Sequence, residues 1–388
     1  MKNVFIAITK RVFVMTLLNN RFLQATFLLA GTIIGVGMFA LPFVFAKAGF
    51  WVASAELVFL AFVTIMMNLF YGEVILRTPG RHLLPGFVRM YLGDKWFYFE
   101  SLSAFVGFSG GIFVYILLGG IFLANLLGLS HGLGQILFFA AGALLVLANL
   151  KTETKINYIL TVFLVFFILI LSGLSLRHFE SANIVSSFDL KNIFIPYGVI
   201  LFALAGGAII PEIVAFLGAE KRLLPKVLVF GVLIPAAVYF VFAIGVLGAT
   251  GALTTPEALE GLRSFLGRPL FFLGNAIGFL AAFTSFIVFG FTFEDILRSD
   301  FGLKKIVAWL VFVSIPLVLF FLPTRNFVQI MNFLGAIAIG IDSIFILWLY
   351  QRTKIAGTRV PEYALAVPLW AVVLFGFLFF LGFAAPFI

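Results

Sequence analysis

Residues 27–45 read FLLAGTIIGVGMFALPFVF, and residues 198–216 read GVILFALAGGAIIPEIVAF. Each stretch is apolar and about twenty residues long, the length of a helix that crosses a ~30 Å hydrocarbon core. In a helix interior glycine costs about 1 kcal/mol and proline about 3 kcal/mol relative to alanine. Both stretches carry such residues near their centres: Gly31, Gly35, Gly37 and Pro42 in the first, Gly206, Gly207 and Pro211 in the second. The pattern predicts two helices that unwind at mid-membrane.

A simpler interpretation applies to each glycine cluster taken alone. Gly31 and Gly35 have the small-xxx-small spacing that lets membrane helices pack closely. Two clusters at matching places, each with a nearby proline, instead favour interrupted helices. Unwound backbone is tolerated in a bilayer only where it is buried in protein or lines a cavity. We therefore expect the two breaks to face a cavity in the protein interior.

The composition places the whole chain in a membrane. Of its 388 residues 63% are hydrophobic, 11% are charged and none is cysteine, which excludes disulfides and thiolate chemistry. The fold expected is an all-α integral membrane protein with eleven transmembrane helices. Lys10 and Arg11 interrupt the N-terminus, which therefore does not resemble a cleavable signal. The predicted spans are residues 22–46, 50–76, 96–127, 132–150, 156–176, 192–218, 226–250, 269–297, 304–322, 327–350 and 362–386.

The basic residues predict the orientation of these spans. With the N-terminus inside, nineteen of the 25 lysines and arginines fall in cytoplasmic segments, as the positive-inside rule requires. This places the chain in the plasma (inner) membrane with a cytoplasmic N-terminus and an outer C-terminus, and it explains the net charge of +9 without nucleic acid. The six basic residues on the outer side are Lys47, Arg177, Lys191, Arg263, Arg268 and Arg325.

The two predicted breaks lie in spans one and six, five spans apart. This spacing predicts a 5+5 inverted repeat in which each half begins with a discontinuous helix. The chain then divides into a cytoplasmic segment (1–21), a first repeat (22–176), a second repeat (192–350) and helix eleven (362–386). Free N–H groups at the start of a half-helix attract a carboxylate, and free carbonyls at the end of another attract an ammonium or a cation. An amino acid zwitterion satisfies both.

The stretches GTIIGVGMFALP and FALAGGAIIPE resemble the first- and sixth-helix motifs of bacterial hydroxy and aromatic amino acid permeases and of amino acid/auxin permeases. These families belong to the amino acid–polyamine–organocation superfamily, which has the leucine-transporter fold. The resemblance implies a secondary transporter, without enzyme activity, that imports neutral, small or hydrophobic and aromatic amino acids by alternating access. A non-transporting amino acid sensor on the same fold is an open alternative.

The resemblance also implies a binding site. The substrate carboxylate is expected on backbone N–H groups of the first break, and the ammonium near carbonyls of both breaks. Phe202 corresponds to an aromatic outer gate, and Ser109 in span three is a candidate contact for the substrate side chain. The expected carboxylate donors are Gly35, Val36 and Gly37, and the expected carbonyls are those of Gly31, Thr32, Phe202, Ala203 and Ala205.

Sodium is the coupling ion that the resemblance favours. In LAAFTSFIVFG of span eight, Ala281, Thr284 and Ser285 have the spacing with which sodium-coupled members provide one carbonyl and two hydroxyls. The carbonyls of Gly31 and Ile34 would complete this site. Both hydroxyls can instead bond to the preceding helical turn.

Proton coupling is the alternative. Some proton-driven relatives carry a lysine in span five, where this chain has Leu164. Acidic residues inside a membrane are expensive and often functional, which makes Glu212 and Asp342 candidates for a proton relay. Glu212 is the acid expected nearest the substrate. No organic cofactor is implied, and membrane lipids are the remaining expected partners.

Overall fold

The computed structural model of the chain describes residues 20–148, 154–184, 192–299, 301–320 and 326–387. These parts are helical and contain no β-strand. All of the predicted cytoplasmic segment 1–21 except its last two residues lies outside them. An all-α chain agrees with the prediction, because within hydrocarbon a helix satisfies its own backbone hydrogen bonds.

Helical residues occur in each of the eleven predicted ranges. The helices, numbered in chain order, are α1 (Arg21–Ile33), α2 (Gly37–Ala48), α3 (Phe50–Arg77), α4 (Leu84–Leu92), α5 (Asp94–Leu127), α6 (His131–Leu147), α7 (Thr154–Ser175), α8 (Ile195–Ala203), α9 (Ile210–Leu217), α10 (Leu224–Thr250), α11 (Leu259–Ser299), α12 (Lys305–Phe320), α13 (Phe327–Phe333), α14 (Ile339–Ala356) and α15 (Leu369–Gly382).

Six helical segments of the described chain are long and apolar enough to cross a membrane, and the bent pair α1 and α2 makes a seventh. The helices α6, α12 and α15 are apolar but shorter, with 17, 16 and 14 residues. The chain is therefore an integral membrane protein. The count of eleven spans and the inverted repeat stay predictions.

The structure corrects the start of the last predicted span. Residues 362–368 are not helical, and α15 begins only after Pro368. Instead this segment lies along α3: the Leu365 N–H donates to Glu73 Oε2 at 2.7 Å, and the Tyr363 hydroxyl donates to the Leu69 carbonyl at 2.6 Å. Proline cannot donate a helical hydrogen bond, and Pro361 and Pro368 bound the segment on both sides.

Two further local features differ from uninterrupted spans. The helix α11 is bent at Gly267, whose φ of 70° lies in the left-handed region that favours glycine. Between α13 and α14, residues Leu334–Ala338 form a turn of π-helix. Such a turn shifts the face that following residues present, which here include Asp342. The short helix α4 lies between the second and third predicted spans.

The structure confirms both predicted helix breaks. The axes of α1 and α2 meet at 58°, and Ile34 leaves the helical region with φ −72° and ψ 81°. In the second break α8 ends at Ala203, and one 3-10 turn, Gly207–Ile209, leads into α9.

The two breaks cross each other in the core. A Cβ atom on Gly37 would lie 2.9 Å from the Ala203 Cα, and one on Gly206 would press against Ile33 and Leu29. Because the Ala203 neighbour is backbone, no side-chain rearrangement relieves the first contact. These glycines therefore allow the close approach of the two interrupted helices.

We expect Gly37→Ala to destabilise the fold by about 1–3 kcal/mol, the usual cost of overpacking a core. The measurement is the apparent Tm of the purified protein in detergent. Gly173→Ala in α7 is the matched control, because a Cβ there has no atom within 4 Å. An equal Tm for Gly37→Ala and the control would contradict the close crossing of the breaks.

Candidate functional site

A single buried hydroxyl joins the two breaks. The Tyr239 side chain of α10 is completely buried. Its hydroxyl lies 2.6 Å from the Ile33 carbonyl of the first break and 2.9 Å from the Ala203 carbonyl of the second, and it donates its one proton to this pair. Both carbonyls lie at helix ends, beyond the regular helical hydrogen bonds, and that of Ile33 also accepts from the Gly35 N–H at 2.7 Å. Tyr239 is absent from the predicted site, although a hydroxyl in an otherwise apolar span is a recognisable signal.

Unwinding changes the partners of the backbone at the first break. The Gly35 N–H donates to the Ile33 carbonyl at 2.7 Å, whereas in a continuous helix it would reach the Gly31 carbonyl. The Gly31 carbonyl is thereby released from its helical bond. The amides of Val36 and Gly37 stand at the start of α2, where N–H groups have no acceptor within their own helix.

The second break changes in the same way. The Ala205 N–H donates to the Phe202 carbonyl at 3.2 Å, whereas a continuous helix would bond it to the Leu201 carbonyl. Carbonyl ends of one half-helix and amide ends of another thus meet in the same region of the protein core. This is the arrangement of partial charges that suits a zwitterion.

A cavity of about 180 Å³ begins at the second break. Three phenylalanines of three different helices form an aromatic wall: Phe108 of α5, Phe202 of α8 and Phe289 of α11. The rings of Phe108 and Phe289 are 5.3 Å apart at their centroids. Gly111 makes room for this wall, because a Cβ there would lie 3.1 Å from Phe289 and 3.8 Å from Phe202.

The cavity extends from the aromatic wall toward one end of the helix bundle. It is lined there by the second half of α3, the first half of α5 and the last turns of α11, and it reaches Leu83, Leu84 and Pro85 before and at the start of α4. The lining is mostly apolar, as expected for a small-molecule site with a few placed polar groups.

The predicted substrate residues divide into two groups. Thr32, Phe202 and Ala205 line the cavity, whereas Gly31, Gly35, Val36, Gly37, Ala203 and Ser109 do not. The Ala203 carbonyl accepts from Tyr239. The residues of α5 that line the cavity are Glu100, Ala104, Gly107 and Phe108, and Ser109 is not among them.

Two helices bring a hydroxyl side chain to the first break. A Cβ on Gly35 would lie 2.9 Å from Oγ of Ser285 in α11, which is one of the predicted cation ligands. A Cβ on Gly31 would collide with Oγ1 of Thr161 in α7. Thr161 is not among the predicted residues, and it lies one turn before Leu164, the position that the resemblance singled out in this helix.

Thr284 uses its hydroxyl within its own helix in this conformation. Its Oγ1 lies 2.8 Å from the Leu280 carbonyl and 3.2 Å from that of Ala281, to which it donates. This is the local bond that serine and threonine commonly make in membrane helices. Among the residues that the structure describes, no three histidine or acidic side chains come together in a metal-binding group.

The structure corrects which acids lie near the site. Glu212 does not line the cavity; its side chain is 42% exposed and pairs with Arg81 at 3.3 Å. Two other acids line the cavity, Glu100 of α5 and Asp342 of α14. One turn after Glu100, the Ser103 hydroxyl donates to Asp342 Oδ1 at 3.1 Å. Asp342 is among the predicted relay residues and Glu100 is not, because its position near the end of a predicted span gave no sign of its complete burial.

Comparison with known sequences gives one family over most of the chain. The profile of the tryptophan/tyrosine permease family matches residues 18–366. A tryptophan-specific transport protein from Pseudomonas aeruginosa (strain UCBPP-PA14) is 26% identical over 244 residues. This match covers 58% of the chain and 57% of the relative, so the chain spans little more than half of that relative's length.

Comparison with solved structures shows the fold. A manganese transporter of Eremococcus coleocola superposes with a TM-score of 0.69 at 13% identity, over 96% of this chain and 86% of that one. MhsT in complex with L-phenylalanine gives 0.63 at 15% identity, over 95% and 98% of the two chains. The inward-facing conformation of Mhp1 gives 0.62 at 15% identity, over 94% and 88%.

We expect Tyr239→Phe to destabilise the protein by about 1–3 kcal/mol, because the buried Ala203 carbonyl loses its donor and the Ile33 carbonyl keeps only the Gly35 N–H. Thermal unfolding of the purified protein measures the effect. Tyr98→Phe is the control, since Tyr98 is 61% exposed on α5. If Tyr239→Phe unfolds at the temperature of the wild type, the hydroxyl does not hold the breaks together.

Proposed function

Because the chain belongs to the tryptophan/tyrosine permease family, we propose that it is a secondary transporter that imports neutral aromatic amino acids by alternating access. The observation that carries this proposal is the aromatic wall of Phe108, Phe202 and Phe289 beside the two crossed breaks. An aromatic substrate ring gains both apolar burial and edge-to-face contacts from such a wall. The bare helix ends next to it suit the α-carboxylate and the α-ammonium.

The proposed backbone contacts follow the predicted roles. The amides of Val36 and Gly37 bind the carboxylate, together with that of Gly35 once its bond to Ile33 opens. The carbonyls of Gly31, Thr32, Phe202 and Ala205 receive the ammonium, and that of Ala203 does so where Tyr239 releases it. Ser109 contributes only after a rearrangement that brings it to the cavity.

The conformation corresponds to an inward-facing step of the proposed cycle. With a cytoplasmic N-terminus, the cavity is lined by the inner halves of α3, α5 and α11. At the opposite end of α8 from the cavity, this helix packs against α13, where the Gly198 N–H donates to Asn332 Oδ1 at 3.2 Å. Binding drives no covalent chemistry here; it shifts the balance between outward- and inward-open states.

We infer a sodium site at the first break, formed by the carbonyls of Gly31, Ile34 and Ala281 and the hydroxyls of Thr284 and Ser285. The released Gly31 carbonyl and the approach of Ser285 to Gly35 support it. Carbonyl and hydroxyl oxygens at an unwound helix are the ligands that coupling ions use in this class of fold. In the present conformation Thr284 has to turn from its own helix to join the site.

Proton coupling is the second candidate, and the acidic lining of the cavity favours it. Glu100 and Asp342 both line this cavity. Acidic side chains inside a membrane are costly and often functional, which makes this pair candidate carriers of a proton. Glu212 has no place in this candidate because it pairs with Arg81 outside the cavity.

We expect Phe289→Ala to weaken tryptophan binding roughly 10-fold, because the substrate ring loses one face of its aromatic wall. Competition against labelled tryptophan uptake in proteoliposomes measures the change. Phe166→Ala in α7 is the control, since Phe166 is 58% exposed on the lipid side. Unchanged binding in Phe289→Ala would remove the proposed pocket. Binding without counterflow exchange in the wild type would instead favour an amino acid sensor.

For the coupling ion, we expect Ser285→Ala to raise the sodium concentration for half-maximal uptake, because one oxygen ligand is lost. Uptake is measured under a sodium gradient and, separately, under a pH gradient. If wild-type uptake ignores sodium and follows the pH gradient, the sodium site is wrong. Asp342→Asn should then abolish proton-driven uptake and leave exchange intact.

A further inference from the structure

The cavity has one amide side chain whose hydrogen-bonding groups are uncommitted. Asn68 of α3 lines the cavity and is only 5% exposed. Its Nδ2 has no hydrogen-bond partner among the residues that the structure describes. Its Oδ1 lies toward the second break, where a Cβ on Gly207 would be 3.4 Å away. A buried amide without partners is costly unless a ligand supplies them.

Three hydroxyl groups of the lining are already bonded to their own helices. The Thr32 hydroxyl donates to the Leu28 carbonyl at 2.9 Å, that of Thr292 to Val288 at 2.9 Å, and that of Ser343 to Ile339 at 2.7 Å. Their protons are therefore committed inside the protein. Asn68 differs from them because it offers both a donor and an acceptor.

We propose that Asn68 forms a hydrogen bond with the polar group on the substrate's aromatic ring. This inference rests on the proposed function and names the chemistry that selects among its substrates. The aromatic wall accepts any neutral ring, whereas the amide Oδ1 accepts a hydrogen bond from an indole N–H or a phenol O–H. A phenyl ring offers neither group, so it leaves the amide desolvated and unpaired.

The difference between rings with and without a hydrogen-bond donor determines how much Asn68 contributes to selectivity. A site built around a hydrogen-bonding group discriminates against a ligand that lacks the partner, because the buried group then stays unpaired. One such bond corresponds to about a 10-fold preference for tryptophan or tyrosine over phenylalanine. Thr64 lies one turn before Asn68 on the same face of α3 and also lines the cavity, so the amide stands on a polar strip of an otherwise apolar helix.

A purely structural role for Asn68 makes a different prediction. If the amide only steadied the second break beside Gly207, its removal would weaken every substrate by the same factor. The ratio between substrates, rather than the affinity for one of them, therefore separates the two roles.

The test is competition of tryptophan, tyrosine and phenylalanine against labelled tryptophan, using the full-length protein in proteoliposomes. We expect Asn68→Leu to reduce the tryptophan-to-phenylalanine preference by about 10-fold, because the acceptor is lost while the volume is kept. Thr292→Val should leave the preference unchanged, since Thr292 lines the same cavity with a hydroxyl already bonded to Val288. An unchanged ratio in Asn68→Leu, or an equal loss for all three substrates, overturns the inference.

A second measurement uses the wild-type protein and needs no variant to fold. The probe is β-(3-benzothienyl)alanine, in which sulfur replaces the indole N–H of tryptophan with nearly the same ring. We expect it to compete about 10-fold more weakly than tryptophan, and equal competition overturns the inference. If instead no aromatic amino acid competes or is taken up at all, the proposed function itself fails.

Discussion

The hydrogen-bond requirement of the membrane interior governs this structure. Where α1 parts from α2 and α8 from α9, backbone groups lose their helical partners, and hydrocarbon offers none in exchange. The protein meets the requirement by crossing the two breaks and placing Tyr239 between them, where its hydroxyl serves the carbonyls of Ile33 and Ala203. The remaining amides and carbonyls stay available beside a cavity. The same physical problem therefore shapes both the packing of the core and the site that we propose for a zwitterionic amino acid.

Close packing at the crossing depends on residues without side chains. Gly37 lies against the backbone of Ala203, and Gly206 against Ile33 and Leu29. A methyl group at either place would separate the half-helices and open the unwound backbone to its surroundings. Gly111 of α5 has a similar role at the cavity, where the absence of a side chain leaves room for the rings of Phe289 and Phe202. Small residues thus determine where the backbone converges, and large aromatic residues fill the space around that point.

Polar groups in the cavity are few, and each has a distinct environment. Several hydroxyls are bound to their own helices, Glu100 and Asp342 stand near Ser103, and Asn68 faces the second break. In a mostly apolar pocket an uncommitted polar group has a large influence on which ligand is accepted. We propose that the phenylalanines contact the ring of the substrate and that the helix ends bind its carboxylate and ammonium. Asn68 is proposed to bind the polar atom of the ring. The two proposed places for a coupling ion lie apart from these contacts, one at the first break and one at Glu100 and Asp342.

The all-helical membrane class and the positions of both helix breaks follow from the sequence alone, because apolar length and the helix cost of glycine and proline are local properties. The family resemblance of span eight singled out Ser285, whose Oγ lies 2.9 Å from a Cβ on Gly35 of the first break. Contacts between helices depend on the tertiary structure. No local sequence pattern indicates which helix is faced by Tyr239, Thr161, Glu100 or Asn68. The orientation of Glu212 also depends on packing, and its side chain pairs with Arg81 instead of lining the cavity. Whether a polar residue in an apolar span meets a cavity, a carbonyl or an ion partner is a property of how distant helices pack, and no local pattern encodes it.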